Sequence, residues 1–261
     1  MGEQHPATGD ETVDVLLVRH AHTADYTEDG GLTEHGVEQS LTWGRQFAAG
    51  VPTDQRVTLL TGPARRARET AEHVRSGLAE GSCVVAPPVT VAGLHNFRIR
   101  TPSGPQEITA AFPGYRAAVA GLDGGPRPLW MREIDVFWDE QVRGDDPITL
   151  WMRVPLLTFE PPAAVVRRLL AAIAALVREA SSRTLYVCCT HSGPMRALAA
   201  WALGRDLGEP QNTEVVRARV RRDLSLGWIT YRGATQAFGP TATLDEEASW
   251  GAAEPDGRRQ P

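Results

Sequence analysis

Lysine is absent from all 261 residues, and arginine supplies every one of the 27 basic side chains. That bias belongs to composition, and no function is read from it. Against 32 acidic residues the chain carries a net charge of −5, which excludes a general nucleic-acid binder, a class that is basic overall. Cysteine is scarce. Cys83, Cys188 and Cys189 show no metal-ligand spacing, and the adjacent pair lies in an apolar run, so buried free thiols and a cytoplasmic location are expected. No apolar stretch is long enough to span a membrane, and the polar, acidic start "MGEQHPATGDETVD" has no signal core. Met1-Gly2 lacks the later Ser or Thr of an acylation motif. Neither a membrane nor nucleic acid is expected as a partner.

What remains is the profile of a globular protein, 42% hydrophobic and 23% charged. Residues 1–12 and 240–261 are polar and are read as flexible ends around one domain, 13–239. Within it, "VDVLLV" and "RVTLLTG" read as strands, each followed by a helix: "LTEHGVEQSLTWGRQFAAG", capped by Thr33 and stopped by Gly50, and "ARRARETAEHVRSGL". "CVVAPPVTV" is extended, its prolines suiting a sheet edge. Later come the helix "PPAAVVRRLLAAIAALVREA", the apolar strand "TLYVCCT", the helix "GPMRALAAWALG" and the strand "LGWITYRG". Short apolar strands that alternate with helices predict an α/β fold, a mainly parallel sheet covered on both faces as a three-layer α/β/α sandwich.

The stretch from about 97 to 160 breaks this alternation and is read as an insertion. It is rich in Pro, Gly, Trp and Met and contains "LWMR" twice, at 129–132 and 150–153. Two short amphipathic turns would explain it. A lid offering Trp130, Trp138, Trp151, Met131 and Met152 to a partly apolar substrate is the alternative.

In such sheets ligands bind beyond the carboxyl ends of the strands. Three strand ends carry groups that suit an anion: Arg19-His20; Thr61-Gly62-Pro63, which leads into Arg65, Arg66 and Arg68; and Thr190-His191-Ser192. Guanidinium forks, imidazoles and the free amides of helix N-termini all bind phosphoryl oxygens. Taken singly, a strand-end histidine is more often a surface residue, and first-turn arginines are more often solvated. The significance lies in three compatible ends that one parallel sheet could gather.

Four segments in order resemble those of the histidine phosphatase superfamily, the phosphoglycerate mutase-like proteins. "VRHAHT" is similar to Arg-His-Gly-x-Thr, with Ala21 at the Gly position. "LTEHGVEQS" resembles "LTxxGxxQA", and "TGPARRARETA" resembles "SPLxRAxxTA". "VCCTHSGPMRAL" resembles "VSHGGxxRAL", with Ser192 where Gly is usual. The resemblance spans about 13–96 and 161–232 and implies a phosphoglycerate mutase-like sandwich. It implies that His20 forms a phosphohistidine while Arg19, Arg66 and His191 clamp the phosphoryl oxygens. Thr23, Asn96, Ser192 and the rim residue His22 would complete the substrate-binding set. The chemistry agrees: a neutral imidazole is a nucleophile at neutral pH, and two arginines offset charge on the group in flight, so no metal or cofactor is expected.

One departure matters. The family's leaving-group acid lies in an "L-x-E" element, and here "AGLHNFRIR" puts Asn96 at that position. An amide cannot deliver a proton, and a positioned acid typically contributes about 10²–10⁴-fold. Either the acid has moved, with Glu107 the first choice and His95, Glu133, Asp135, Asp139 and Glu140 behind it; or the leaving group needs no acid; or the pocket serves other chemistry or phospho-ligand binding. The expected activity is a metal-independent phosphatase acting on a small or medium organic phosphate monoester. A small phosphorylated molecule is the expected partner, and a homodimer is left open.

Overall fold

A computed structural model describes residues 11–122 and 124–239. The flexible ends expected at 1–12 and 240–261 lie outside these residues, except that Glu11 is described and Thr12 opens the first strand. The chain runs β1 (Thr12–Arg19), α1 (Glu34–Ala48), β2 (Arg56–Thr61), α2 (Arg65–Glu80), β3 (Val89–Thr90) and a 3₁₀ turn (Ala92–Leu94). The hairpin β4 (Arg98–Thr101) and β5 (Gly104–Glu107) follows, then α3 (Ile108–Ala120), α4 (Leu129–Arg143), α5 (Pro147–Arg153) and α6 (Pro162–Glu179). The last part is β6 (Thr184–Thr190), α7 (Ser192–Leu203), β7 (Val215–Arg221), β8 (Gly227–Tyr231) and β9 (Ala234–Phe238).

Seven strands form one sheet in the order β3-β2-β6-β1-β7-β8-β9. The sheet is parallel from β3 to β1 and antiparallel from β1 to β9, so five of its seven strands share a direction. Period-two alternation divides β1 between two cores. Val13, Val15 and Leu17 face one core with α6 and α7, and Leu16 and Val18 face the other with α1 and α2. β6 is buried along its whole length, as its central place requires. Thr33 caps α1, its hydroxyl accepting from the Gly36 amide at 3.1 Å. Of "CVVAPPVTV" only Val89 and Thr90 pair, as an edge strand.

The inserted stretch is more than two amphipathic turns: it is a hairpin and three helices packed on the sheet's core. Its hairpin and three helices send Ile99, Ile108, Ile134, Phe137, Ile148 and Trp151 into the α6/α7 core. Trp151 is fully buried, donates Nε1 to the Glu160 carbonyl at 2.8 Å and stacks on Phe97 at 4.4 Å. Met131 is buried, Met152 packs on the same core, and Trp130 lines a separate surface cavity. Of the five residues expected to meet substrate, Trp138 alone lines the cleft described below. Arg196, buried on α7, ties the insertion down. Its guanidinium donates to Asp146 (2.5 Å), Thr149 (2.6 Å) and Asp206 (2.6 and 2.9 Å), and Asp146 is itself the N-cap of α5. No helix among the described residues is long and apolar enough to cross a membrane.

Candidate active site

The carboxyl ends of β1, β6 and β2 lie side by side. Arg19 is in register with Thr190 and Thr61 with Cys189, and the amides of His20 and Gly62 donate to Thr190 and Cys189 at 2.8 and 2.9 Å. The residue after each strand therefore emerges at one level. A cleft opens there, enclosing about 70 Å³, and its lining includes Arg19, His20, Arg66, Asn96, His191 and Ser192.

His20 is buried. Its Nδ1 lies 2.9 Å from the Ala21 carbonyl, which can only accept, so the neutral ring carries its proton on Nδ1 and its lone pair on Nε2. Burial, followed by the charges of Arg66 and Arg19, holds its pKa well below the ordinary histidine value and keeps the ring neutral. The loop behind it is fixed at several points. The Asn212 amide donates to the His20 carbonyl at 2.8 Å, and the Ala21 amide donates to the Thr70 hydroxyl at 3.0 Å. Gly36 permits α1 to dock on this loop, because a Cβ there would meet the His22 carbonyl oxygen at 2.2 Å.

His191, the N-cap of α7, lies with its ring centroid 5.4 Å from that of His20. Burial, then Arg66, depresses its pKa well below the ordinary value. Both of its ring nitrogens are buried with no hydrogen-bond partner, as are Arg19 Nε and Arg66 Nε. Buried polar atoms are nearly always partnered, so these nitrogens, three of them donors whichever tautomer the neutral His191 adopts, together with Trp138 Nε1 mark a place for a hydrogen-bonding group.

Neither arginine is otherwise idle. Arg66 is the one residue of Arg65, Arg66 and Arg68 that turns inward; the other two are exposed. Its Nη1 donates to Asp29 at 3.2 Å and its Nη2 to Glu107 at 2.8 Å. Asp29 also takes the Arg65 and Arg66 amides at 2.5 and 3.3 Å, so the α2 N-terminus is capped by a carboxylate instead of being free for a ligand. Arg19 donates to the Pro210 carbonyl and to Tyr26 Oη at 3.1 Å, and pairs with Glu209 at 3.0 Å.

Asn96 reaches the cleft from the loop after the 3₁₀ turn, where Arg168 holds the carbonyls of Gly93 (2.7 Å), His95 (3.0 Å) and Asn96 (3.3 Å). Its Nδ2 donates to Glu107 at 2.9 Å. Glu107 thus stands directly behind the position expected for the acid, but with the opposite polarity. It accepts from Arg66, Asn96, the Thr109 hydroxyl, and the Thr109 and Ala110 amides of α3, which it caps. It does not line the cleft.

The other expected residues lie apart. Thr23 is buried in the loop, donating to the Gly31 carbonyl at 2.7 Å. His22 is exposed, with Nδ1 2.8 Å from the Thr33 hydroxyl. Glu133 accepts from the Leu157 and Thr158 amides, Asp135 pairs with Arg127, and Glu140 pairs with Arg143. None of these, nor His95 or Asp139, lines the cleft. No group of three or more His, Cys, Asp or Glu among the described residues could hold a metal ion.

Several site residues escaped the sequence reading. Thr70 had a signal, being the threonine of "RARETA". Tyr26, Asp29, Glu209 and Asn212 lie in loops and carried none. The apolar lining of Phe97, Ile108, Phe137, Trp138, Pro147 and Ile148 comes from the insertion.

Known proteins share this arrangement at the level of fold. A mycobacterial protein described as hydrolase 1 is 18% identical, over 86% of this chain and 99% of its own, with a TM-score of 0.52. Mycobacterial glucosyl-3-phosphoglycerate phosphatase in complex with VO3 is 17% identical over 85% and 98%, with a TM-score of 0.52. YhfR of Bacillus stearothermophilus is 17% identical over 86% and 94%, with a TM-score of 0.50. No curated protein matches the sequence. The family model of the histidine phosphatase superfamily (branch 1) matches residues 15–134 and 137–225. With nearly the whole of its described fold inside that match, the chain belongs to the histidine phosphatase superfamily.

Proposed function

We propose that the protein is a metal-independent phosphatase that hydrolyses a small or medium organic phosphate monoester through a phosphohistidine at His20. The observation that carries this reading is the set of orphan nitrogens, Arg19 Nε, Arg66 Nε and both nitrogens of His191, on residues sharing one cleft with His20. The His20 lone pair on Nε2 attacks phosphorus as the P–O bond to the leaving group breaks, and the bonding pair departs on that oxygen, which takes any proton it needs from water. Water then attacks the phosphohistidine and the electron pair returns to Nε2. Arg19, Arg66 and His191 receive the phosphoryl oxygens, and Ser192 and Asn96 add neutral hydrogen-bonding groups at the rim. The two guanidinium groups, whose charge is shared with Asp29, Glu107 and Glu209, present fixed donors to the phosphoryl oxygens in place of a metal.

Glu107 fits a positioning role in this scheme. All five of its partners donate to it, so it orients Arg66 and Asn96 as an ionised acceptor. Thr23 and His22 shape the loop that carries His20. The domain is read as 13–239, the location as cytoplasmic, and the partner as a small phosphorylated molecule.

The test is acid-stable and acid-labile phosphate analysis after rapid quench with aryl, alkyl and acyl phosphates. A base-stable, acid-labile phosphoryl group on the wild type, absent from His20→Ala, is expected. Binding of phosphate esters with no turnover and no phosphoprotein from any of the three classes would replace the phosphatase with a phospho-ligand binding module.

A further inference from the structure

The cleft is one-sided in its chemistry. Beyond the arginines and imidazoles its lining divides into polar residues on the phosphoryl side, Tyr26, Asn96, Ser192 and Glu209, and a wall built on Phe97, Ile108, Phe137, Trp138, Pro147 and Ile148. This wall is already packed: Phe97 stacks on Trp151, Phe137 meets Phe97 edge-on at 5.8 Å, and Trp138 meets Phe137 edge-on at 6.3 Å. Its polar offerings are few, namely Thr109, Gln141 and the indole Nε1 of Trp138, which is buried without a partner. A sugar or glycerol moiety would lose its hydration against such a surface and regain little.

No carboxylic acid among the residues that line the cleft is free to give a proton. Asn96 holds the position of the acid, and the glutamate behind it is surrounded by donors. Glu209 is the one carboxylate among the lining residues, and Arg19 holds it at 3.0 Å. The Tyr26 hydroxyl accepts from the same arginine and keeps its own proton, but a phenol is a far weaker acid than the carboxylic acid that the site lacks.

We infer that the substrate is a phosphate monoester of an aromatic alcohol, its ring against the apolar wall and its phenolate oxygen leaving unprotonated. The inference rests on the phosphatase reading above. The N–P bond to His20 Nε2 forms as the P–O(aryl) bond breaks, and the bonding pair stays on the phenolate, which takes a proton from bulk water if it needs one. Water then supplies the oxygen that breaks the N–P bond, leaving inorganic phosphate and a restored imidazole. A phenolate needs no acid to depart, whereas an alkoxide does.

The experiment compares kcat/KM for phenyl phosphate, benzyl phosphate and glycerol phosphate, with acetyl phosphate as a phosphoryl donor that requires neither the wall nor an acid. Phenyl over benzyl phosphate should be at least about 10²-fold, the usual worth of a missing acid. Benzyl over glycerol phosphate should be about tenfold or more, the usual discrimination of an apolar pocket. Trp138→Ala should lower the two ring substrates about tenfold while phosphoenzyme formation from acetyl phosphate is kept, and Trp138→Phe should restore most of that loss. Equal rates for phenyl and benzyl phosphate, a preference for glycerol phosphate, or turnover of acetyl phosphate alone would overturn the inference and leave the phosphohistidine reading standing. Absence of a phosphoenzyme from every donor would remove both.

Discussion

The two ends of the cleft were built by different parts of the chain. The anion end comes from residues that follow three neighbouring parallel strands, and its geometry is set by the sheet register. The apolar end comes mostly from residues 97–148, a region of short helices joined by loops. The first is held by backbone ladders and the second by side-chain packing and one arginine. Chemistry common to every substrate should therefore reside at the first end, and discrimination between substrates at the second.

Breaking the anion end should give the largest effects. His20→Ala should lower kcat by roughly 10⁴-fold or more on every substrate, as loss of a nucleophile does. Arg66→Ala should cost about 10²–10³-fold in kcat/KM, the usual worth of one preorganised charge-stabilising donor. Arg66→Lys should recover little, because an ammonium cannot reproduce its contacts to Asp29 and Glu107. Both variants should affect phenyl and glycerol phosphate alike; selective loss would show that the two ends are not separate.

At the apolar end, Trp151→Ala should destabilise the fold by about 3–5 kcal/mol, measured by urea unfolding, since it empties a buried stack against Phe97.

Acid should act on the anion end. The pKa values of His20 and His191 are lowered by burial first, and His95 is lowered to about 4 for the same reason. The unfolded chain takes up protons at these sites near pH 6.5, and the folded chain does so only below it. Stability should therefore hold above pH 6.5 and fall as pH drops toward 4, by up to about 1.4 kcal/mol per pH unit for each group. His191→Gln should flatten that slope in urea titrations. The smallest effect belongs to His22→Ala. Its exposed ring touches Thr33 and not the cleft, so kcat/KM should stay within about twofold, in line with a surface substitution.

The sequence made the two ends legible to different degrees, for a physical reason. A buried parallel strand announces itself as an apolar run, and its end is a definite position, so the sequence alone places Arg19-His20 and Thr190-His191 together. Wall residues carry no such mark. The two "LWMR" segments share four letters, yet Trp130 lines a surface cavity while Trp151 is buried against Phe97. Long-range packing made that choice. "VVRARVR" carries the strict alternation of a half-buried strand, and it is β7. The partners of the arginines were hidden for a third reason. Asp29 and Glu209 act from loops, where no periodicity links a residue to its target.

Arg196 gives this division a consequence for timing. Its helix begins next to His191, and its far contacts hold Asp146, which begins the helix carrying Pro147 and Ile148. The span between His191 and that part of the apolar wall is thus set by contacts made in folding. On the proposed reading, loosening this brace should widen the range of molecules turned over without altering how fast phosphorus is attacked.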